Sequence, residues 1–141
     1  MFTHKTRDML VEKVMLQMGK FPVIAKTVIL KEALEEMNKY SLGIVCIVDD
    51  DKKLLGIFTD GDIRRRLLSI QKPSSAFFID DALDHSTKTP LTAQISDKVD
   101  DVIKTMGDRK IWDLPVLNES GKLVGLLHLH PVVEALFNEK R

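Results

Sequence analysis

Apolar positions along this chain follow two different periods. Leu30, Ala33, Leu34 and Met37 stand at i, i+3, i+4 and i+7, which predicts an amphipathic helix. Residues 43–48 and 54–58 are short apolar runs rich in Ile and Val. The polar segment Asp49-Asp50-Asp51-Lys52-Lys53 parts them and predicts a hairpin-like turn between two strands. Val23-Ile24-Ala25, following Pro22, predicts a short strand ahead of the helix. Residues 62–68 predict a second helix, with Ile63, Leu67 and Leu68 on one side and Arg64, Arg65 and Arg66 largely on the other. Residues 6–18 read as a helical lead-in with Met9, Leu10, Val14 and Met18 on one face.

The same order then returns. Val99, Val102, Ile103 and Met106 repeat the helix stripe, and residues 114–117 and 123–127 predict strands broken by Asn118-Glu119-Ser120-Gly121. Residues 131–137 predict a closing helix, with Pro131 well suited to its first turn. Placing Gly56 on Gly125 (125 − 56 = 69) lays residues 42–68 over 111–137 without a gap. The register extends upstream, where Ala33, Leu34 and Met37 fall on Val102, Ile103 and Met106. The chain is therefore a β-α-β-β-α unit stated twice, an α+β or mixed α/β arrangement. Two such copies usually share a core, and their seam is the expected place for a ligand cleft. The expected organisation is a first domain at 6–69, a linker and lead-in at 70–90 rich in Ser, Thr, Pro and Asp, and a second domain at 91–139.

Composition narrows the function classes. At 141 residues, 44% hydrophobic and 30% charged, the chain reads as a soluble globular domain. No apolar run approaches the roughly 20 residues that cross a bilayer, and the N-terminus lacks a signal core, so a cytoplasmic protein is expected. Twenty-one basic residues balance 21 acidic ones, which gives nucleic acid and anionic lipid no general attraction. The single cysteine, Cys46, stands inside an apolar run and reads as a small buried hydrophobe.

The sharpest local motif is Gly56-Ile57-Phe58-Thr59-Asp60-Gly61-Asp62, at a strand exit and a helix start. Thr59 is a good N-cap, and Asp62 three residues later can close a variant of the capping box. Gly61 permits close backbone approach, and helix N-terminal amides favour an anion or sugar oxygen. The same residues are equally compatible with a capped helix and nothing more. The second copy reads Gly125-Leu126-Leu127-His128-Leu129-His130-Pro131, so His128 and Pro131 replace the threonine and the carboxylate. His128 and His130 would point the same way on an extended strand, a spacing that suits a metal, but no cysteine or carboxylate cluster accompanies them. Lining a ligand cleft or capping a helix are the alternatives. Arg64, Arg65 and Arg66 read either as a solvated helix face or as guanidinium forks for phosphate. Trp112 reads by default as core, otherwise as a stacking surface. His4 and His85 show no constellation. There is no Ser-His-Asp set, P-loop or dinucleotide fingerprint, and nothing argues for catalysis.

On the strands 44–48 and 114–117 and the segments GIFTDGD and GLLHLHP, the two copies resemble a tandem pair of CBS domains, or Bateman module. The strings LGIFTDGDIRRRL and GLLHLHPVVEAL are also similar to the C-terminal CBS pair of arabinose 5-phosphate isomerases of the KpsF/GutQ type. Pro131 departs from that pattern, which has Asp there. The catalytic sugar isomerase domain of that family has no counterpart in this chain.

The resemblance implies two units packed about a pseudo-twofold axis and a non-enzymatic regulatory module without a resident cofactor or metal. Its ligand would be a nucleotide or a sugar phosphate, with an adenine nucleotide or CMP-sugar as the regulatory molecule. Thr59, Asp60, Gly61, Asp62, Arg64 and Arg65 would line the first cleft, and His128 and His130 the second. Thr59 would meet phosphate or ribose, and Asp62 the ribose hydroxyls. A homodimer is expected, with an attached or partner sugar-metabolism enzyme. The competing expectations are a structural dimerisation module with vestigial clefts and, last, a metal-assisted enzyme at His128 and His130.

Overall fold

In the computed structural model, which describes residues 8–129, the chain divides into two compact units, Gly19–Pro90 and Met1–Met18 with Leu91–Arg141. The first unit begins with β2 (Val23–Ala25), the second strand of the chain after β1 (Leu16–Gln17). It continues through α1 (Leu30–Tyr40), β3 (Ile44–Val48), β4 (Leu54–Thr59), α2 (Asp60–Ser69) and α3 (Ser74–Phe78) to a 3-10 turn at Ala82–His85. Its sheet runs β2-β3-β4, with β2 parallel and β4 antiparallel to β3. The second unit holds β1, β5 (Ala93–Gln94), α4 (Val99–Arg109), β6 (Asp113–Leu117) and β7 (Leu123–His128), in the sheet order β1-β7-β6-β5.

Alternation along the strands decides what each sheet face meets. Val45, Ile47 and Phe58 cluster with Leu30, Ala33 and Met37 of α1, joined by Ile24, Phe77 and Ala82. Leu114, Val116 and Leu127 cluster with Val99, Val102 and Met106 of α4. Each fully buried side chain of this size contributes about 1.5–3 kcal/mol. Ile44, Cys46 and Thr59 stand at the intervening positions of the first sheet, and Asp113, Leu126 and His128 at those of the second.

The repeat extends to backbone detail. Both first helices end in a left-handed residue at equivalent positions, Ser41 (φ 54°) and Lys110 (φ 56°). Leu42 N–H then donates to Met37 O, and Ile111 N–H to Met106 O. The hairpin turns repeat too. Asp49 Oδ1 accepts from the amides of Asp51 and Lys53, and Asn118 Oδ1 from those of Ser120 and Lys122.

The lead-in segments behave differently from the helical expectation for 6–18. Val11–Lys13 is a single 3-10 turn followed by β1, and the expected residues 6 and 7 lie outside the described ones. The reason is tertiary. Val11 N–H donates to Asp97 O, Val99 N–H donates to Met9 O, and β1 pairs antiparallel with β7. These partners take backbone groups that a helix would have used internally. In the first unit the segment after α3 does the same. Leu30 N–H donates to Asp80 O, and Thr87 exchanges two hydrogen bonds with Ile57 of β4. Residues 70–90 thus supply buried Phe77, Ala82 and His85 to the first unit. The expected closing helix at 131–137 lies outside the described residues.

Candidate functional site

The junction of β4 and α2 is built by the capping box. Thr59, extended at φ −123°, is the N-cap, and its Oγ1 accepts from Asp62 N–H at 3.2 Å. In return, Asp62 Oδ2 accepts from Thr59 N–H at 2.9 Å and from Thr59 Oγ1–H at 3.1 Å. Two otherwise unpaired donors at the helix start are satisfied, as the Thr-x-x-Asp spacing requires.

The other carboxylate oxygen faces different partners. Asp62 Oδ1 accepts from an Arg65 guanidinium nitrogen at 2.8 Å and, at a longer 3.4 Å, from Thr87 Oγ1–H. Asp62 is buried, whereas the Arg65 side chain is 62% exposed. The guanidinium lies over Gly61, 3.1 Å from where a Cβ there would stand. Asp60 is exposed and fills the space beside Gly43, to whose carbonyl its N–H donates at 3.1 Å. The structure therefore gathers Thr59, Asp60, Gly61, Asp62 and Arg65 at one helix start. Arg64 is exposed on the same helix and joins none of these contacts.

His128 ends β7 and stands directly opposite Asp113 of β6, at the register position where Thr59 stands opposite Ile44 in the first unit. Its Nδ1 lies 2.6 Å from Asp113 Oδ1. A carboxylate beside Nδ1 favours an N–H on that nitrogen. His130, named with it from the sequence, lies outside the described residues. Among the described residues no group of three or more His, Cys, Asp or Glu is placed to hold a metal. Trp112 is not core: it is 67% exposed. It stands at the strand entry that the first copy fills with Gly43, a position for which the repeat provides no core slot.

Three further residues escaped the sequence reading. Thr87 reaches Asp62 only because the lead-in pairs with β4, a partnership visible in sequence only if the lead-ins are aligned at their own offset. Asp113 is found from hairpin register, since it pairs with His128 as Pro115 pairs with Leu126. His85, set aside as lacking a constellation, is buried between Arg66, whose Nε–H donates to its Nδ1 at 3.1 Å, and Asp80, 2.8 Å from its Nε2. The Lys72 ammonium and His85, both hydrogen-bonded to Asp80, hold that carboxyl below its ordinary range.

The second unit also holds a cavity of about 210 Å³ lined by Thr92, Asp97, Asp101, Val102, Thr105 and Leu114. It is smaller than the roughly 300 Å³ at which small-molecule pockets begin, and it contains none of the strand-exit residues.

The CBS domain family model matches residues 11–69 and 81–138. Among curated proteins, arabinose 5-phosphate isomerase GutQ of Escherichia coli O6:H1 is 32% identical over 114 residues, which is 81% of this chain and 34% of that protein. An uncharacterized protein of Helicobacter pylori (strain J99) is 31% identical over 124 residues, 86% of this chain and 36% of that one. The chain thus spans about a third of the length of these relatives. Among solved structures, CBSX2 in complex with AMP superposes with a TM-score of 0.82 at 26% identity, covering 94% of this chain and 98% of that one. The CBS domain pair of protein MJ0100, in complex with 5'-methylthioadenosine and S-adenosyl-L-methionine, gives 0.74 at 25% identity, covering 94% and 98%.

Proposed function

The chain belongs to the CBS domain family as a tandem pair, and from that premise we propose that it is a regulatory module binding a nucleotide or sugar-phosphate ligand at the head of α2. The observation that carries this reading is the divided role of Asp62. One oxygen is committed to the helix cap, while the other is held by an exposed guanidinium that can yield to a ligand hydroxyl. Complexes of two relatives, with AMP and with adenosine-containing molecules, support an adenine nucleotide. The similarity to part of GutQ supports a sugar phosphate or CMP-sugar. Thr59, Asp60, Gly61, Asp62, Arg64 and Arg65 are the proposed first site, with His128 and His130 assigned to a second.

Binding would regulate by favouring one arrangement of an attached or partner sugar-metabolism enzyme, since a ligand shifts only those equilibria whose states it binds differently. The module itself is not an enzyme on this reading, and acts as a cytoplasmic homodimer. No helix among the described residues is long and apolar enough to cross a membrane.

A thermal-shift and calorimetric panel of AMP, ATP, CMP, CMP-Kdo and arabinose 5-phosphate tests the site. At least one ligand should bind wild type more tightly than Asp62→Ala. Equal binding to both, or none to either, removes the proposal.

A structural dimerisation module is the second reading. It is favoured by exposed Leu67, Leu68 and Ile79 in the first unit and by loss of the Thr-x-x-Asp pair from the second copy. A tight dimer in sedimentation analysis, unchanged by every ligand of the panel, would decide for it.

A further inference from the structure

We propose that Arg65 is a latch on Asp62 which the ligand displaces, and that this selects phosphomonoesters of sugars bearing free hydroxyls. The inference rests on the reading that Asp62 is the ligand-facing carboxylate. Oδ2 takes both Thr59 donors, so surrendering it would undo the start of α2. Oδ1 is the replaceable oxygen. Its short partner is Arg65 at 2.8 Å, and its other donor, Thr87 Oγ1–H, stands at 3.4 Å.

A ligand hydroxyl that donates to Oδ1 competes directly with the guanidinium. Because the Arg65 side chain is 62% exposed, its ion pair is weak and costs little to break. The released guanidinium then lies beside the site as a planar fork suited to two phosphate oxygens. One event therefore pairs each ligand group with its complement, the hydroxyl with the carboxylate and the phosphate with the arginine. A nucleoside or free sugar pays the displacement and gains no phosphate contact in return.

Gly61 completes the device. A Cβ there would stand 3.1 and 3.2 Å from the two terminal guanidinium nitrogens, so glycine lets the guanidinium lie closer over the helix start than any other residue would. At the repeat offset, Gly61, Asp62 and Arg65 fall on His130, Pro131 and Glu134. The second copy has replaced all three members together, including a reversal of charge at the arginine. That is the pattern expected of parts that work only jointly.

The test is calorimetry on the full chain with three pairs: AMP and adenosine, CMP and cytidine, arabinose 5-phosphate and arabinose. For a pair that binds, Arg65→Ala should weaken the phosphorylated member about tenfold or more, the loss of a charge-assisted hydrogen bond. It should tighten the unphosphorylated member about two- to fivefold, the gain from an exposed ion pair that need no longer be broken. Arg65→Ala weakening both members alike, or neither, overturns the latch while leaving the site at Asp62 standing. If no pair binds wild type, or Asp62→Ala binds as well as wild type, the site reading itself fails and the latch falls with it.

Discussion

Arg66 Nε–H donates to His85 Nδ1 at 3.1 Å, and that contact fixes the chemistry of a buried imidazole. Arginine Nε can only donate, so Nδ1 must be the acceptor and the ring proton must reside on Nε2. From there it donates to Asp80 Oδ2 at 2.8 Å. The imidazole thus bridges α2 to the segment that delivers Thr87 to Asp62. Phe77 meets the ring edge-on with centroids 4.7 Å apart.

Replacing His85 with alanine should therefore lower stability by about 1–3 kcal/mol, the cost of losing a buried, hydrogen-bonded side chain that packs on Phe77. Urea denaturation at neutral pH measures it. Nitrogen NMR of the wild-type imidazole should report protonated Nε2 and unprotonated Nδ1. The opposite tautomer, or a loss near zero, would show that the bridge is not formed.

Asp80 gives this region a pH dependence of definite sign. Hydrogen bonds from Lys72 and then His85 hold its folded-state pKa below the ordinary carboxylate value. A depressed carboxylate stabilises the fold at pH above its unfolded pKa, about 3.9. That contribution fades as pH falls through the folded value, because both states are then protonated. Wild type should accordingly melt above Asp80→Asn at pH 6, and the difference should shrink as the pH is lowered from 4 towards 2. A gap that widens with acid would have the wrong sign.

Much of this architecture is legible in the amino-acid order. The stripes at Leu30 to Met37 and Val99 to Met106 became α1 and α4, and the Ile- and Val-rich runs became the hairpins, because local period and tertiary burial agree there. The lead-ins were read differently because their pattern competes with long-range partners. Met9, Leu10, Val14 and Met18 have helical spacing, yet the backbone of Met9, Val11 and Leu16 pairs with residues more than 80 positions away. No local window contains that information. The same reason hid Thr87, whose role depends on pairing with Ile57, and His85, whose partners come from α2 and the loop after α3. The cap at Thr59 and Asp62 was legible because both members lie within one helical turn. Arg65 was legible as a charge, but its hold on Oδ1 was not.

Glycines at equivalent positions of the two copies provide a direct test of the lead-in pairing. A Cβ on Gly56 would stand 2.9 Å from the backbone oxygen of Thr87 and 2.7 Å from Ser86 Oγ. A Cβ on Gly125 would stand 2.9 Å from the backbone oxygen of Leu16 and collide with Met15 Sδ. A side chain tip can turn away, but a strand carbonyl engaged in pairing cannot move without opening the edge of the sheet. Gly56→Ala and Gly125→Ala should each destabilise by about 1–3 kcal/mol, the usual cost of overpacking. Gly107 is the internal control, since it lies within α4 and a Cβ there meets nothing within 4 Å. Gly107→Ala should stabilise by about 0.5–1 kcal/mol through helix propensity alone. Chemical denaturation of the three variants compares them on one scale. If Gly56→Ala and Gly125→Ala proved as benign as Gly107→Ala, the lead-in segments would not lie against β4 and β7, and Thr87 would lose its place beside Asp62.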